Sequence, residues 1–149
     1  MKQVYVEESA WNSLLEHFRR EAGKNLEAMG LLLGEVYSHE GREWVFVKEY
    51  VTAPNDASAV LVSFTEEAFK ELIPLVAKKI KKSLIVGWAH SHPGYGCFLS
   101  ATDQATQRNY FSESFNVALV VDPLKGDKKF FRLSGSSYSP VSFAVVRKK

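Results

Sequence analysis

Six consecutive apolar residues, Leu84-Ile85-Val86-Gly87-Trp88-Ala89, set the tightest limit on what this chain can fold into. The run has no polar alternation, the pattern of a strand buried on both faces rather than one with a wet side. Val117 to Val121 is a second run of the same kind. Such strands belong inside a sheet that other elements cover, and the rest of the chain supplies candidates. Trp11, Leu14, Leu15 and Phe18 recur at helical spacing, predicting a helix from Ser9 to Glu21 with Ser9 as N-cap and Gly23 as stop. A second helix is predicted with Phe69, Leu72, Ile73, Val76 and Ile80 on its buried face. It would have a Ser63 and Glu66 capping box at its start and a kink at Pro74. A short helix is expected near Ala101 to Phe111.

Extended stretches fill the remainder. Val4 to Val6 reads as a first strand, and Met29 to Tyr37 with Glu43 to Val51 as a hairpin around Ser38-His39-Glu40-Gly41. Ala53-Pro54-Asn55-Asp56-Ala57-Ser58 has loop chemistry. Lys128 to Leu133 and Val141 to Val146 read as closing strands, parted by Ser134-Gly135-Ser136-Ser137-Tyr138-Ser139. This order predicts an α+β sandwich, a mixed central sheet packed by helices, in one domain covering residues 1–149. An apolar share of 46% supplies a core without disulfides.

Composition removes several function classes. The single cysteine, Cys97, cannot form an intrachain disulfide, which favours a reducing, cytoplasmic setting. The first eight residues hold no apolar stretch of signal-peptide length, and no run is long enough to cross a bilayer, so no membrane partner is expected. A net charge of +2 is too mild to argue for nucleic acid. The basic cluster Lys78-Lys79-Ile80-Lys81-Lys82 reads as the solvated end of the second helix, where cations meet the negative end of the dipole.

Chemistry concentrates between the two buried strands. His90 and His92 stand two apart at a strand end, so their imidazoles point from one face. Two converging imidazoles can bind zinc. Pro93, Gly94 and Gly96 turn the chain sharply and could return Asp103 to the same place. Two histidines and one carboxylate leave a fourth position for water, the arrangement of a catalytic site. Blander readings compete. A His-x-His pair is often polar surface, and Ser100 with Asp103 has the spacing of a helix-capping pair. Glu27 alone reads as an exposed carboxylate before a strand, and Cys97 as inert core.

His90-Ser91-His92, seven intervening residues, Ser100, two residues and then Asp103 resembles the JAMM signature. Upstream, Leu26-Glu27-Ala28-Met29-Gly30-Leu31-Leu32-Leu33-Gly34 is similar to that family's glutamate-containing segment. The resemblance to JAMM/MPN+ metalloproteases runs from the first helix to Val121-Asp122-Pro123, and is strongest to the type found in the proteasome lid and the signalosome. Departures are Ala89, where those relatives usually carry Tyr, and Phe98, where they carry Trp. Their docking helices beyond the catalytic core have no counterpart here, so a stand-alone archaeal enzyme is expected.

The resemblance implies an MPN fold, a cytidine-deaminase-like sandwich, with one zinc ion per chain held by His90, His92 and Asp103. It implies Glu27 as general base, Ser100 as hydrogen-bond donor to the oxyanion, and an edge strand at Val60, Leu61 and Val62 that pairs with the substrate tail. The implied substrate bond follows the C-terminal Gly-Gly of ubiquitin or a ubiquitin-like protein, with the proteasome as a further candidate partner. Two alternatives remain, a JAMM protease that trims sulfur-carrier proteins and a metal-free MPN scaffold. The complete set of Glu27, His90, His92, Ser100 and Asp103 argues against the scaffold.

Overall fold

A computed structural model describes residues 2–52 and 83–147. The loop at 53–58, the edge strand at Val60, Leu61 and Val62, the second helix with its Ser63–Glu66 cap and Pro74 kink, and the basic cluster at 78–82 lie outside the described residues.

Strand β1 (Val4–Glu7) passes directly into helix α1 (Glu8–Ala22). Ser9 is therefore not the N-cap. Glu7, still extended at φ −64° and ψ 136°, holds that position, and no side chain bonds the helix start. The strand hands its last residue to the helix, which leaves no loop residue to cap it. Gly23 does end the helix, in the right-handed region at φ −62°, with its N–H donating to the Arg19 carbonyl at 3.1 Å. The chain then reverses at Asn25, φ 59°.

Strands β2 (Met29–His39) and β3 (Arg42–Val51) form the expected hairpin. Its turn is only Glu40–Gly41, both left-handed at φ 50° and 78°, a pairing whose twist matches the strands it joins. Next come β4 (Leu84–Ser91), α2 (Ala101–Tyr110), β5 (Val117–Asp122), β6 (Asp127–Ser134), β7 (Ser137–Val141) and β8 (Phe143–Val146). Among the described residues the eight strands lie in the order β7-β6-β5-β4-β2-β3-β1-β8. β4–β5, β1–β3 and β1–β8 are parallel and the other pairs antiparallel, so the sheet is mixed.

The C-terminal region differs from its sequence reading. Ser137, Tyr138 and Ser139 are strand, because β6 supplies a ladder that pairs Ser139 with Arg132 and Tyr138 with Leu133. The stretch from Val141 to Val146 is two strands broken at Ser142: β7 ends one edge of the sheet and β8 lies beside β1 at the other. Two edges joined through one residue require a sheet that curls until its ends meet. Phe143 closes the seam against Phe130, ring centroids 5.0 Å apart.

Alternation along the strands builds a core on each face. Leu32, Val86, Ala89, Leu119 and Val121 meet Ala10, Leu14, Leu15 and Phe18 of α1. On the opposite face Leu31, Leu33, Trp88, Ala118 and Val120 meet Leu99 and Phe111, which flank α2. The buried residues of α2 itself are polar, namely Asp103, Thr106 and Gln107. That polarity sets up the site.

Candidate metal centre

His90 lies in β4 and shares a sheet face with Trp88, whose indole stacks on it at 4.4 Å and 8°. Trp88 is in turn steadied from α2, its indole N–H donating to the Gln107 side-chain oxygen. His92 sits just past the strand, its backbone N–H donating to the Val121 carbonyl at 2.8 Å. Asp103 stands in the first turn of α2. All three are buried, at 0%, 3% and 1% exposure.

The three side chains converge on one point. His90 Nε2 and His92 Nε2 are 3.1 Å apart, and Asp103 Oδ2 is 3.1 Å from the first and 3.3 Å from the second. Ligand atoms at the usual 2.0–2.1 Å from a tetrahedral zinc stand about 3.3 Å from one another. The spacing is therefore that of three ligands around one ion. Proton placement agrees at His92, where Nδ1 lies 3.1 Å from the Gly96 carbonyl. A carbonyl only accepts, so Nδ1 carries the hydrogen and Nε2 turns a lone pair inward. Burial holds the His90 imidazole below its ordinary pKa, which keeps it in the neutral form a cation needs. Burial alone would raise the Asp103 carboxyl, but the His90 and His92 rings that face it, with the Ser100 N–H, hold it well below the usual carboxylate range. The donor set fits a metal ion.

Ser100 and Asp103 are also a capping pair. The Asp103 N–H donates to Ser100 Oγ at 3.1 Å, and the Ser100 N–H donates to Asp103 Oδ2 at 3.0 Å. One carboxylate oxygen thus caps the helix and faces both imidazoles, so the structural and functional readings coincide. Because Ser100 Oγ accepts from Asp103, its own hydrogen stays available to another acceptor. Glu27 comes off the start of β2 half-buried, with its carboxyl raised by burial and its charge coupled to His92 and then Asp103.

Two buried residues that spacing alone does not mark shape this centre. Ser91, between the histidines, receives the Ala28 N–H on its hydroxyl at 2.9 Å and returns its own N–H to the Ala28 carbonyl at 2.9 Å. It thereby fastens the Glu27 segment to the histidine strand. A hydroxyl inside an otherwise apolar strand was the available signal. Asp122 ends β5 and is taken up below. Cys97 has no nucleophilic setting, since its thiol donates to the Val120 carbonyl at 3.3 Å and burial pushes its pKa up.

The family described as JAB1/Mov34/MPN/PAD-1 ubiquitin protease matches residues 1–114. The chain belongs to this family. Among relatives of this MPN domain are the ubiquitin carboxyl-terminal hydrolase RPN11 of Saccharomyces cerevisiae and the 26S proteasome regulatory subunit RPN11 of Eremothecium gossypii. Each is 35% identical over 129 residues, covering 84% of this chain and 40% and 39% of the relative. The 26S proteasome non-ATPase regulatory subunit 14 of Drosophila melanogaster is 35% identical over 85% of this chain and 40% of its own length. The chain thus spans about two fifths of the length of these relatives. The solution structure of protein DSY2949 from Desulfitobacterium hafniense has the same fold, with a TM-score of 0.65 at 19% identity over 97% of this chain and 94% of that one.

Proposed function

We propose that this MPN domain is a zinc-dependent isopeptidase that hydrolyses the bond after the C-terminal Gly-Gly of ubiquitin or a ubiquitin-like protein. The observation that carries the reading is the convergence of two imidazole nitrogens and one carboxylate oxygen within 3.3 Å of each other, with Glu27 and Ser100 beside them. His90, His92 and Asp103 would hold one zinc ion. When bound, such an ion supplies Lewis acidity and brings the pKa of water down to about 7.

The chain's own residues do the rest. Glu27, raised by burial, accepts the proton of the attacking water and returns it to the departing lysine amine. Ser100 directs its free hydroxyl hydrogen at the oxygen of the attacked carbonyl, a contribution of about 3 kcal/mol in comparable sites. The exposed rings of Tyr95 and Phe98 lie 4.7 and 4.9 Å from the His92 ring and offer an apolar wall for the substrate chain beside the bond to be cut. Relatives named for the 26S proteasome and for ubiquitin hydrolysis support that substrate class and make the proteasome a candidate partner. A lone cysteine suits a reducing compartment, so we place the protein in the cytoplasm as part of this proposal.

The test is a panel of tagged ubiquitin and ubiquitin-like conjugates, assayed with and without chelator, beside metal analysis. One zinc per chain and chelator-sensitive cleavage are expected. A chain that binds no metal is a scaffold, and cleavage confined to sulfur-carrier proteins would move the substrate class.

A further inference from the structure

The most heavily used acceptor near the metal centre is a carboxylate outside the ligand set. Asp122 is completely buried at the end of β5. Its Oδ1 accepts from the N–H groups of Gly94 at 2.9 Å, Leu124 at 3.0 Å and Lys125 at 3.0 Å. Its Oδ2 accepts from the Gly96 N–H at 2.9 Å. Closing the local turn 123–126 needs only one oxygen, since a backbone bond from Gly126 to the Asp122 carbonyl at 2.8 Å already ties that turn. The bonds to Gly94 and Gly96 reach 28 and 26 residues back, to the turn that follows His92.

That turn is shaped to meet the carboxylate. Gly94 and Gly96 both take left-handed backbone, φ 85° and 86°, which aims two N–H groups only two residues apart at one side chain. With its N–H fixed on Asp122, Gly96 presents its carbonyl to His92 Nδ1 at 3.1 Å. A continuous path runs from Asp122 Oδ2 through Gly96 to the ring that faces the metal position. Partners of this kind fix the tautomer and orientation of a ligating imidazole.

We propose that Asp122 is a positioning residue for the metal centre: by clamping the 93–96 turn it holds the Gly96 carbonyl where it keeps His92 protonated on Nδ1 and its Nε2 lone pair turned to the metal. The proposal rests on the reading of His92 as a ligand.

Asp122→Asn tests it selectively. The amide keeps one oxygen, enough for the three donors on Oδ1, and places an NH2 against the Gly96 N–H, so the path to His92 is the bond that breaks. The zinc dissociation constant, measured by chelator competition, is expected to rise about 10- to 100-fold. Leu15→Ala, a core change on the buried face of α1, is the matched control: its melting temperature falls and its zinc affinity stays at the wild-type value. Imidazole 1H–15N correlation spectra give a readout that needs no metal. His92 is expected in the Nδ1–H form in the wild type, with the Nε2–H form appearing in Asp122→Asn.

If Asp122→Asn does not fold, Asp122→Ser, whose hydroxyl can still take the Leu124 and Lys125 donors, is read in the same way. Unchanged zinc affinity with an unchanged His92 tautomer overturns the proposal. So does failure of both variants to fold, because Asp122 would then be a staple for the whole sheet. Absence of zinc from the wild type would sink the metal reading instead, and the tautomer spectra would still report on Asp122.

Discussion

Two buried histidine clusters lie on opposite faces of the same sheet, and only one of them converges. On the α1 face His17 is buried, with its Nδ1 2.7 Å from the Tyr50 hydroxyl, and Glu21 is buried one turn further along. On the α2 face lie His90, His92 and Asp103. The ingredients are similar, and burial lowers the pKa of His17 as it does that of His90. The arrangement differs. Tyr50, its phenol pushed well up by burial, stays neutral and satisfies His17 with a bond between two uncharged groups. Glu21 turns outward to Lys24 at 3.5 Å and Arg20 at 4.0 Å. Gly30 leaves the space that the Tyr50 ring fills, since a Cβ there would lie 2.4 Å from it. On that face His17 pairs with Tyr50, while Glu21 Oε1 faces Lys24 and Arg20 and its buried Oε2 takes no hydrogen bond. At the other face three acceptor atoms share one point, and among the described residues no other group of three His, Cys, Asp or Glu does so. Burial and residue type make a histidine structural, and convergence makes it a candidate ligand.

The largest expected effect separates the two clusters outright. His92→Ala should abolish zinc binding and cleavage together, measured by metal analysis and substrate assay, whereas His17→Phe should leave zinc stoichiometry intact. Zinc retained at full occupancy in His92→Ala would erase the distinction.

Within the converging cluster, Glu27→Gln should keep the metal and the fold and lose about 10²- to 10⁴-fold in turnover, since an amide cannot relay a proton. A rate near wild type would remove Glu27 from the proton path. Ser100→Ala should cost about 10²- to 10³-fold in kcat through the lost donor, and about 1 kcal/mol of stability through the lost cap. A drop in melting temperature without a drop in kcat would leave Ser100 as a cap alone.

The smallest effect belongs to the structural cluster. His17→Phe removes one neutral hydrogen bond and should cost about 1 kcal/mol. Its pH dependence carries a definite sign. Burial, opposed by Glu21 and helped by Arg20 and Lys24, depresses the folded pKa of His17 below 6.5. Its contribution is therefore fully present above that value and is lost as pH falls through the folded pKa, because the unfolded chain takes up the proton first. In zinc-free protein the melting temperature of His17→Phe should fall less steeply than that of the wild type as pH drops below 6.5. Parallel curves would mean that His17 is not held neutral.

Much of this is legible in the sequence. The apolar run at β4, the second run at β5 and the spacing of Leu14, Leu15 and Phe18 each state a local preference that the fold keeps, and the turn read at Ser38-His39-Glu40-Gly41 tightens to its last two residues. β7 was not legible, because Ser137 and Ser139 have no strand preference of their own and become strand only against β6. Ser9 misled because a capping residue matters only where a loop precedes the helix, and here β1 does.

By itself, the sequence determined which segments are strands buried on both faces, which residue types stand at their ends, and that Glu27, His90, His92, Ser100 and Asp103 follow a known order. It did so because strand burial and short motifs depend on neighbours a few residues away. Only the tertiary structure decided that one Asp103 oxygen meets both imidazoles, that Ser91 ties Ala28 to the histidine strand across 63 residues, and that Asp122 reaches 26 residues back to Gly96. Those are contacts between strands brought side by side by the curl of the sheet. Their partners are set by register and strand order, which no local spacing records.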